Sequence, residues 1–202
     1  MGKYTANTLL KAVLRRVFHT EWHKVHYLVL DVNKDELEKR MSSFRIPVKA
    51  LDYNDYLLGD MNEFDDEKMA LYKLRFQDQT YKAYGIIEDG VLVYSCWIST
   101  SRLGLPIETK PISLNPKEGY LEDAYCHPNY RGRGYHTQMN AYRIHELVKM
   151  GKTRIVVTVF DGNVPALKSQ FKNGFRDSGT FYIGKLLGIK FNTLNKRKYE
   201  SK

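Results

Sequence analysis

The sequence predicts an α+β fold, in which helices pack against a β-sheet. Three patterns predict this fold: a hairpin over residues 82–99, a strand, turn and helix over residues 121–150, and a second strand and helix over residues 152–173. The chain has 202 residues, of which 43% are hydrophobic, so it is long enough to enclose a core. No Gly/Ser-rich or Pro-rich linker divides it.

The first 20 residues combine basic side chains with an apolar stripe. The stripe has helical spacing and consists of Leu9, Leu10, Val13, Leu14, Val17 and Phe18. A membrane-surface helix, a targeting peptide and an ordinary helix docked on a domain all produce such a pattern. We favour the docked helix, because an amphipathic stripe is the usual sign of a helix that faces a core.

A β-hairpin is predicted next along the chain. The extended segments 82–87 and 91–99 flank Glu88-Asp89-Gly90. Asp-Gly between two strands favours a tight hairpin turn, because both residues tolerate positive φ angles. The two segments are therefore expected to pair in antiparallel fashion.

A strand, a turn and a helix follow between residues 121 and 151. Residues 121–126 form a short predicted strand, which ends before Pro128 because proline lacks the backbone donor. Apolar and aromatic side chains recur at helical spacing over residues 135–150, and Gly151 supplies a stop. The helix thus begins directly after the sequence Arg131-Gly132-Arg133-Gly134.

This turn has the composition of a phosphate-binding site. Gly132 and Gly134 lack a Cβ, so backbone N–H groups can approach a ligand closely. Arg131 and Arg133 add fixed positive charge beside a helix N-terminus, which itself favours anions. An exposed basic turn without a ligand could have the same sequence. The spacing matches neither a dinucleotide fingerprint nor a Walker A loop.

A second strand and helix complete the unit. Residues 152–160 contain the β-branched run Ile155-Val156-Val157-Thr158-Val159, which is typical of a buried strand. Asn163 is a suitable N-cap for a helix over residues 164–173, and Gly174 ends that helix. Phe175 begins another extended run.

Together, the two units resemble the GNAT acetyltransferase superfamily. The pyrophosphate turn of that family reads Arg/Gln-x-x-Gly-x-Gly/Ala, and the sequence from Arg131 to Tyr135 follows it, with His136 at the last position. Its second signature, Asn-x-x-Ala followed by Gly-Phe, has counterparts at Asn163, Ala166 and Gly174-Phe175. The resemblance covers residues 46–195 and implies a mixed, mostly antiparallel sheet flanked by helices.

The resemblance also implies how the rest of the chain is arranged. A first strand is expected at residues 47–51, helices at 53–60 and 65–77, and final strands at 180–184 and 188–194. The domain is expected to span residues 46–202, and residues 1–45 are expected to form a helix and strand extension packed on its core.

Acetyl-CoA is the co-substrate that the resemblance implies. Main-chain groups on the strand before the turn would contact the pantetheine and the thioester carbonyl, and amides of the turn would hold the pyrophosphate. The imidazole of His136 would lie near the phosphates or face solvent. The implied cofactor-binding residues are Ala124, Tyr125, Cys126, Arg131, Gly132, Arg133, Gly134, Tyr135, His136, Thr137 and Asn163.

The acid–base residues are less regular. Glu122 precedes the turn on the implied active-site strand, where a carboxylate can accept the proton of an amine; the alternative is a carboxylate that faces solvent or pairs with a basic neighbour. The family's usual proton donor is a tyrosine seven positions after the asparagine, and Gln170 occupies that position here. Tyr182, Ser169 or a water would then protonate the thiolate, or it would leave unassisted. We assign catalysis to Glu122 and Tyr182.

The predicted function is transfer of an acetyl group to a primary amine in a ternary complex. Seven acidic residues between Asp52 and Glu67 would favour a cationic acceptor if they border its pocket, and otherwise they form an exposed acidic loop. Two alternatives remain open: transfer of a longer acyl or aminoacyl group, and a basic module that binds nucleic acid without catalysis.

Composition narrows the partners and the compartment. The net charge is +9, and residues 131–202 contain 15 Lys/Arg and 4 Asp/Glu, a surplus of 11 that suits a polyanionic ligand such as CoA. No recognised nucleic-acid-binding motif occurs, no apolar run reaches membrane-spanning length, and no metal site is predicted. Cys96 and Cys126 are expected to be reduced, as in the cytoplasm. A homodimer is compatible with these features.

Overall fold

The fold is built around one open eight-stranded sheet. In this computed structural model, which describes residues 21–105 and 112–195, the strand order is β10-β9-β1-β8-β7-β4-β3-β2. All neighbours are antiparallel except β7 and β8, which are parallel. The predicted mixed, mostly antiparallel sheet is thus confirmed.

The elements follow one another in simple order. The main strands are β1 (Glu21–Asp31), β2 (Lys49–Ala50), β3 (Tyr81–Glu88), β4 (Val91–Ser99), β7 (Glu118–Cys126), β8 (Arg154–Phe160), β9 (Arg176–Leu186) and β10 (Ile189–Asn192). The short strands β5 (Arg102–Leu103) and β6 (Ile112–Ser113) form a separate pair. The α-helices are α1 (Lys34–Ser42), α2 (Asp66–Gln77), α3 (Tyr135–Lys149) and α4 (Val164–Lys172), and 3-10 turns cover Asn54–Leu58 and Pro128–Tyr130.

Several local predictions are confirmed. Asp89 and Gly90 both have positive φ angles, 50° and 77°, as the hairpin between β3 and β4 requires. Helix α3 begins at Tyr135 directly after the glycine turn, and the side chain of Asn163 caps α4 by accepting from the N–H of Ala166. Cys96 and Cys126 are free thiols.

The N-terminal strand takes an unexpected place. The sequence predicted the first strand at residues 47–51, but only Lys49–Ala50 are extended there, at the edge of the sheet. The first strand is β1, which pairs with β8 on one side and β9 on the other; Val25, for instance, lies opposite both Phe160 and Phe181. Residues 21–31 therefore form part of the sheet itself, while the division at residue 45 stays a prediction. The amphipathic stripe of residues 9–18 lies outside the described residues.

The helices around the hairpin are partly as predicted. Helix α2 matches the predicted segment 65–77, and Asp65 caps it through the N–H of Lys68. The segment 53–60 forms a 3-10 turn over Asn54–Leu58 instead of an α-helix. Asp52 accepts from the N–H groups of Asn54 and Asp55, and this local bonding favours a tight turn. At the C-terminal end, β9 is longer than predicted and β10 is shorter.

Hydrophobic cores lie on both faces of the sheet. Helices α3 and α4 share one face, where Met139, Ile144 and Leu147 pack with Leu121 and Val157 of the strands. On the other face, an aromatic cluster joins α2 to β4, and a third cluster covers β1, β8 and β9. Glu122 lies on that second face, between its two clusters.

Candidate functional site

The strands β7 and β8 separate in the middle of the sheet. The paired residues run from Glu118 opposite Arg154 to Leu121 opposite Val157. Beyond this point β7 continues to Cys126 and β8 continues to Phe160, but the two strands no longer pair with each other. The pairing of β7 with β4 shifts register between Ser95 and Trp97. A gap therefore opens between two neighbouring strands, and main-chain groups along it are available to a ligand.

The glycine turn lies at the open end of β7. Gly132 and Gly134 have φ angles of 81° and 79°, which non-glycine residues rarely adopt, and a Cβ at either position would meet nothing within 4 Å. No side chain caps α3. In the described parts of the chain, the N–H groups from Gly132 to Thr137 donate to no other residue. The turn thus presents unpaired donors at a helix N-terminus, as a phosphate site requires.

The two arginines of the turn are both exposed. Arg131 donates from Nε to the carbonyl of Cys126 at 3.2 Å. Arg133 lies over the ring of Tyr130, 4.5 Å from its centroid, and its Nη1 is 3.6 Å from Glu88 of the hairpin turn. Tyr135 donates its hydroxyl to the same carboxylate. Both guanidinium groups therefore lie beside the unpaired amides, where they can approach phosphate oxygens.

The side chain of His136 turns into the protein. It is half-buried, and its Nδ1 lies 2.8 Å from the hydroxyl of Tyr94. Burial, with a contribution from the nearby charge of Arg143, lowers the pKa of His136 to about 4. Its imidazole is therefore neutral at physiological pH and does not face phosphates; only its backbone amide belongs to the turn.

A polar chain of side chains lies beneath the turn, between α3 and α4. Asn140 donates from Nδ2 to Gln170 at 3.2 Å, and it accepts from Nη2 of Arg143. Arg143 also donates from Nη1 to the carbonyls of Trp97 and Glu122, at 3.3 and 3.2 Å. The sequence alone did not predict this chain of polar side chains. Its signal was three polar residues, His136, Asn140 and Arg143, on one helical face among apolar neighbours.

Glu122 is the buried carboxylate of the site. It is 6% exposed and forms an ion pair with Arg75 of α2. The carboxylate thus pairs with a basic neighbour and does not face solvent. Burial raises the pKa of Glu122 to about 7, although the Arg75 guanidinium opposes the shift. Its Oε2 has no hydrogen-bond partner among the described residues. This carboxylate can therefore exchange a proton near neutral pH.

The loop after β5 closes over Glu122. A Cβ at Gly104 would come within 1.7 Å of Glu122 Oε1, so only glycine allows this close approach. The hydroxyl of Tyr120, on the same face of β7, donates to the carbonyl of Gly104 at 3.1 Å. The position of the loop thus determines the space around the carboxylate.

Asp123 forms the bulge in β7. Its φ angle is 47°, in the left-handed region, and its carboxylate accepts from Tyr72 at 2.8 Å and from Arg75 at 2.9 Å. Lys68 lies 3.4 Å from the same carboxylate. Helix α2 thereby holds β7 in the irregular conformation that opens the gap.

The remaining predicted residues occupy different surroundings. Ala124 is exposed, Tyr125 packs in the aromatic cluster, and Cys126 is half-buried at the end of β7. Asn163 uses its side chain to cap α4. Tyr182 is 46% exposed on β9, which β1 and β8 separate from β7, and this position does not support a role as proton donor.

The acidic segment between Asp52 and Glu67 serves local structure. Asp52 and Asp60 accept from nearby backbone N–H groups, and Asp55 pairs with Lys49 at 2.6 Å. Asp65 caps α2, and Glu63 pairs with Lys68. Most of these carboxylates are engaged in turns, caps and ion pairs, so they give little support to a preference for cationic acceptors.

The described residues hold neither a candidate metal site nor a candidate membrane-spanning helix. Residues 21–105 and 112–195 contain no cluster of His, Cys, Asp and Glu side chains that could hold a metal ion. Among those same residues, no helix has the length and apolar character needed to cross a membrane.

The sequence matches a known protein family. The family described as "Acetyltransferase (GNAT) family" matches residues 50–175. The chain belongs to the GNAT family. No curated protein matches the sequence. The predicted superfamily is confirmed, and the matched residues include β7, the glycine turn, β8 and α4.

Solved structures share the GNAT fold at low identity. A putative GNAT acetyltransferase from Novosphingobium aromaticivorans DSM 12444 is 16% identical, with a TM-score of 0.56, and the match covers 83% of this chain but only 66% of that one. The aminoglycoside 6′-N-acetyltransferase AAC(6')-IG from Acinetobacter haemolyticus is 18% identical, with a TM-score of 0.50 and coverages of 65% and 92%. AAC(6')-Iy, solved in complex with CoA, is 15% identical, with a TM-score of 0.50 and the same coverages. At these identities the likeness establishes the fold alone.

Proposed function

We propose that this GNAT protein transfers an acetyl group from acetyl-CoA to a primary amine, by direct transfer in a ternary complex. The observation that carries the proposal is the row of unpaired N–H groups from Gly132 to Thr137 at the open end of the β7–β8 gap. The amides, the dipole of α3 and the charges of Arg131 and Arg133 together suit a pyrophosphate.

The gap would hold the acyl end of the co-substrate. Main-chain groups of Ala124, Tyr125 and Cys126 lie beyond the last β7–β8 pair, so they would bind the pantetheine and polarise the thioester carbonyl. Such contacts use the backbone, so the bulge at Asp123 matters more than the side chains along the strand. The amides from Gly132 to Thr137 would orient the pyrophosphate.

Glu122 would act as the base. The amine must be neutral to attack, and a carboxylate with a pKa near 7 can take its proton directly or through water. Nitrogen then adds to the thioester carbon and a tetrahedral intermediate forms. Its collapse breaks the C–S bond and leaves the electron pair on sulfur, the nitrogen releases its second proton to solvent, and the thiolate takes a proton from solvent. The products are the acetylated amine and CoA.

Calorimetric titration with acetyl-CoA tests the co-substrate site. Gly134→Trp fills the space above the unpaired amides and is expected to weaken binding at least tenfold, about 1.4 kcal/mol. Gly151→Trp is the matched control, since Gly151 also has a positive φ angle, 81°, and open space around it, but it lies at the other end of α3. Acetyl-CoA binding is expected to survive in that variant.

The same titrations separate the alternatives. Salt-sensitive binding of a short DNA duplex without acetyl-CoA binding would favour the nucleic-acid module and contradict the proposal. A panel of acyl-CoA thioesters then distinguishes acetyl transfer from transfer of a longer group. Preferred turnover of a long-chain thioester would contradict the acetyl assignment.

A further inference from the structure

The hairpin tip, residues 185–190 between β9 and β10, projects beyond the neighbouring strand β8. Val25 of β1 lies opposite both Phe160, the last residue of β8, and Phe181 of β9. Strand β9 continues five residues further to Leu186, which at about 3.3 Å per residue is roughly 16 Å. Both β8 and β9 are antiparallel to β1, and β7 is parallel to β8. The tip therefore lies at the same end of the sheet as the open end of the β7–β8 gap.

The turn of the hairpin tip contains a residue that its backbone does not favour. The loop Leu187-Gly188 has φ angles of 49° and 84°, and the turn between β3 and β4 has nearly the same angles, 50° and 77°, at Asp89-Gly90. Aspartate tolerates the left-handed region, whereas a bulky apolar residue rarely adopts it. Leu187 is 66% exposed, so packing within the protein does not offset this strain. Folding of the hairpin thus does not explain the leucine.

The hairpin tip continues an apolar surface on one face of the sheet. Leu186 and Ile189 lie opposite each other at the base of the turn and are 49% and 74% exposed. Trp22 of β1 is 47% exposed and lies opposite Gly184, two residues before Leu186. Residues that are opposite each other, or two positions apart, share a face of a sheet. With Leu187 at the turn, four large apolar side chains are therefore exposed together at this end of the molecule.

The charges around the hairpin tip are mostly positive. Lys185 and Lys190 lie opposite each other and are both exposed, and no Asp or Glu occurs in residues 178–195. On β1, Glu21 lies opposite Lys185, and its carboxylate is 3.0 Å from Nε2 of His23. Apolar side chains beside lysines, with a tryptophan at their edge, suit the interfacial region of an anionic lipid bilayer.

Charge and shape favour a bilayer over a second copy of the chain. The net charge of +9 repels another copy and attracts an anionic surface. A stable protein interface buries about 800 Å² on each partner, and a narrow projecting turn is better suited to insertion than to such a broad contact. Pairing two tips would also bring their lysines together.

We propose that the hairpin tip inserts its apolar side chains, together with Trp22, into the interfacial region of an anionic lipid bilayer. Lys185 and Lys190 then lie among the phosphates of the headgroups. Because the tip and the open end of the β7–β8 gap lie at the same end of the sheet, docking brings the gap towards the membrane surface. This inference does not depend on the proposed acetyl transfer.

Co-sedimentation with lipid vesicles tests the docking. The unmodified protein is expected to sediment with vesicles of phosphatidylcholine and phosphatidylglycerol, and at least about tenfold less with phosphatidylcholine alone. Leu187→Asn removes an apolar contact and is expected to weaken binding to the anionic vesicles by about tenfold. Asparagine tolerates the positive φ angle, so the urea midpoint of this variant is expected to be unchanged or higher. Misfolding would therefore not account for the lost binding.

A matched substitution and an intrinsic fluorophore supply the controls. Leu57→Asn also replaces an exposed leucine, 61% exposed in the 3-10 turn before α2, and is expected to bind anionic vesicles like the unmodified protein. The chain has two tryptophans, of which Trp97 is fully buried. A blue shift of emission on addition of anionic vesicles is therefore expected to come from Trp22, and to be absent in Trp22→Phe.

The outcomes that overturn the inference are distinct. Equal vesicle binding by the unmodified protein and Leu187→Asn would show that other basic residues bind the lipid and that the hairpin tip does not. Absence of vesicle binding by the unmodified protein would also overturn it, and so would a dimer that Leu187→Asn dissociates without any vesicle binding. Failure to bind acetyl-CoA would overturn only the proposed function.

Discussion

At the scale of single residues, Glu122 and Arg75 define the acid–base properties of the site. Burial alone would favour a neutral carboxyl group, and the guanidinium favours the ionised one. The balance raises the pKa of Glu122 to about 7, well above its ordinary value of 4.5. A base with this pKa is half ionised at neutral pH, so small changes in its surroundings alter activity.

The pH dependence of kcat/KM follows from this balance. A base must be deprotonated, so activity is expected to rise as pH increases through about 7. Arg75→Met removes the charge that lowers the pKa of Glu122, and is expected to move the rise about one pH unit or more towards higher pH. Arg75→Lys keeps the charge and is expected to move it less. Unchanged profiles in both variants, with folding verified by thermal melting, would contradict the role of Glu122.

Elements act together at the β7 bulge. Arg75 and Tyr72 of α2 bind the carboxylate of Asp123, whose backbone has a positive φ angle that most residues avoid. On the other face, Arg143 of α3 donates to the carbonyl of Glu122. A helix on each face thus fixes the same irregular turn of strand. The main-chain groups of β7 beyond it then lie along the gap, past the last β7–β8 pair.

Replacing Asp123 tests this arrangement. Asp123→Ala removes two hydrogen bonds, and alanine tolerates a positive φ angle less well than aspartate. The free energy of unfolding is therefore expected to fall by about 1–3 kcal/mol. Asp123→Asn still tolerates the φ angle and is expected to lose less. Urea unfolding measures both changes, and the KM for acetyl-CoA is expected to rise in Asp123→Ala. An alanine variant as stable as the unmodified protein would show that α2 does not hold the bulge.

The sequence predicted those elements whose signals are local. The hairpin at Asp89-Gly90, the turn at Gly132 and Gly134, and the cap at Asn163 each depend on neighbouring residues alone. The bulge at Asp123 and the chain from Arg143 to Gln170 depend on contacts between distant segments. A polar residue on an apolar helical face does not reveal whether it meets water, a carbonyl or another side chain, so these partners required the structure.

At the scale of the whole molecule, β1 unites the two ends of the described chain. It lies between β8 and β9. Its side chains enter the cores on both faces of the sheet: Leu28 packs on one face, and Val25, Tyr27 and Val29 pack on the other. The partners of β1 lie more than a hundred residues away along the chain, and for that reason its place in the sheet could not be predicted from the sequence.

A substitution in β1 measures its contribution. Leu28→Ala removes a fully buried side chain and is expected to lower the free energy of unfolding by about 2–5 kcal/mol in a single cooperative transition. Leu57→Ala, at a position that is 61% exposed, is the control and is expected to change it by less than about 0.5 kcal/mol. If β1 were only attached to the surface, Leu28→Ala would instead produce a separate early transition.

The position of β1 has a consequence for synthesis of the chain. Val29 leaves the ribosome long before its partners Val156 and Arg176 exist. Until then the strand has two unpaired edges and apolar side chains on both faces, a combination that invites association with other nascent chains. The first described strand to be made is thus among the last to be paired, and such long-range closure slows folding. Chaperone demand during expression is accordingly expected to arise from this strand.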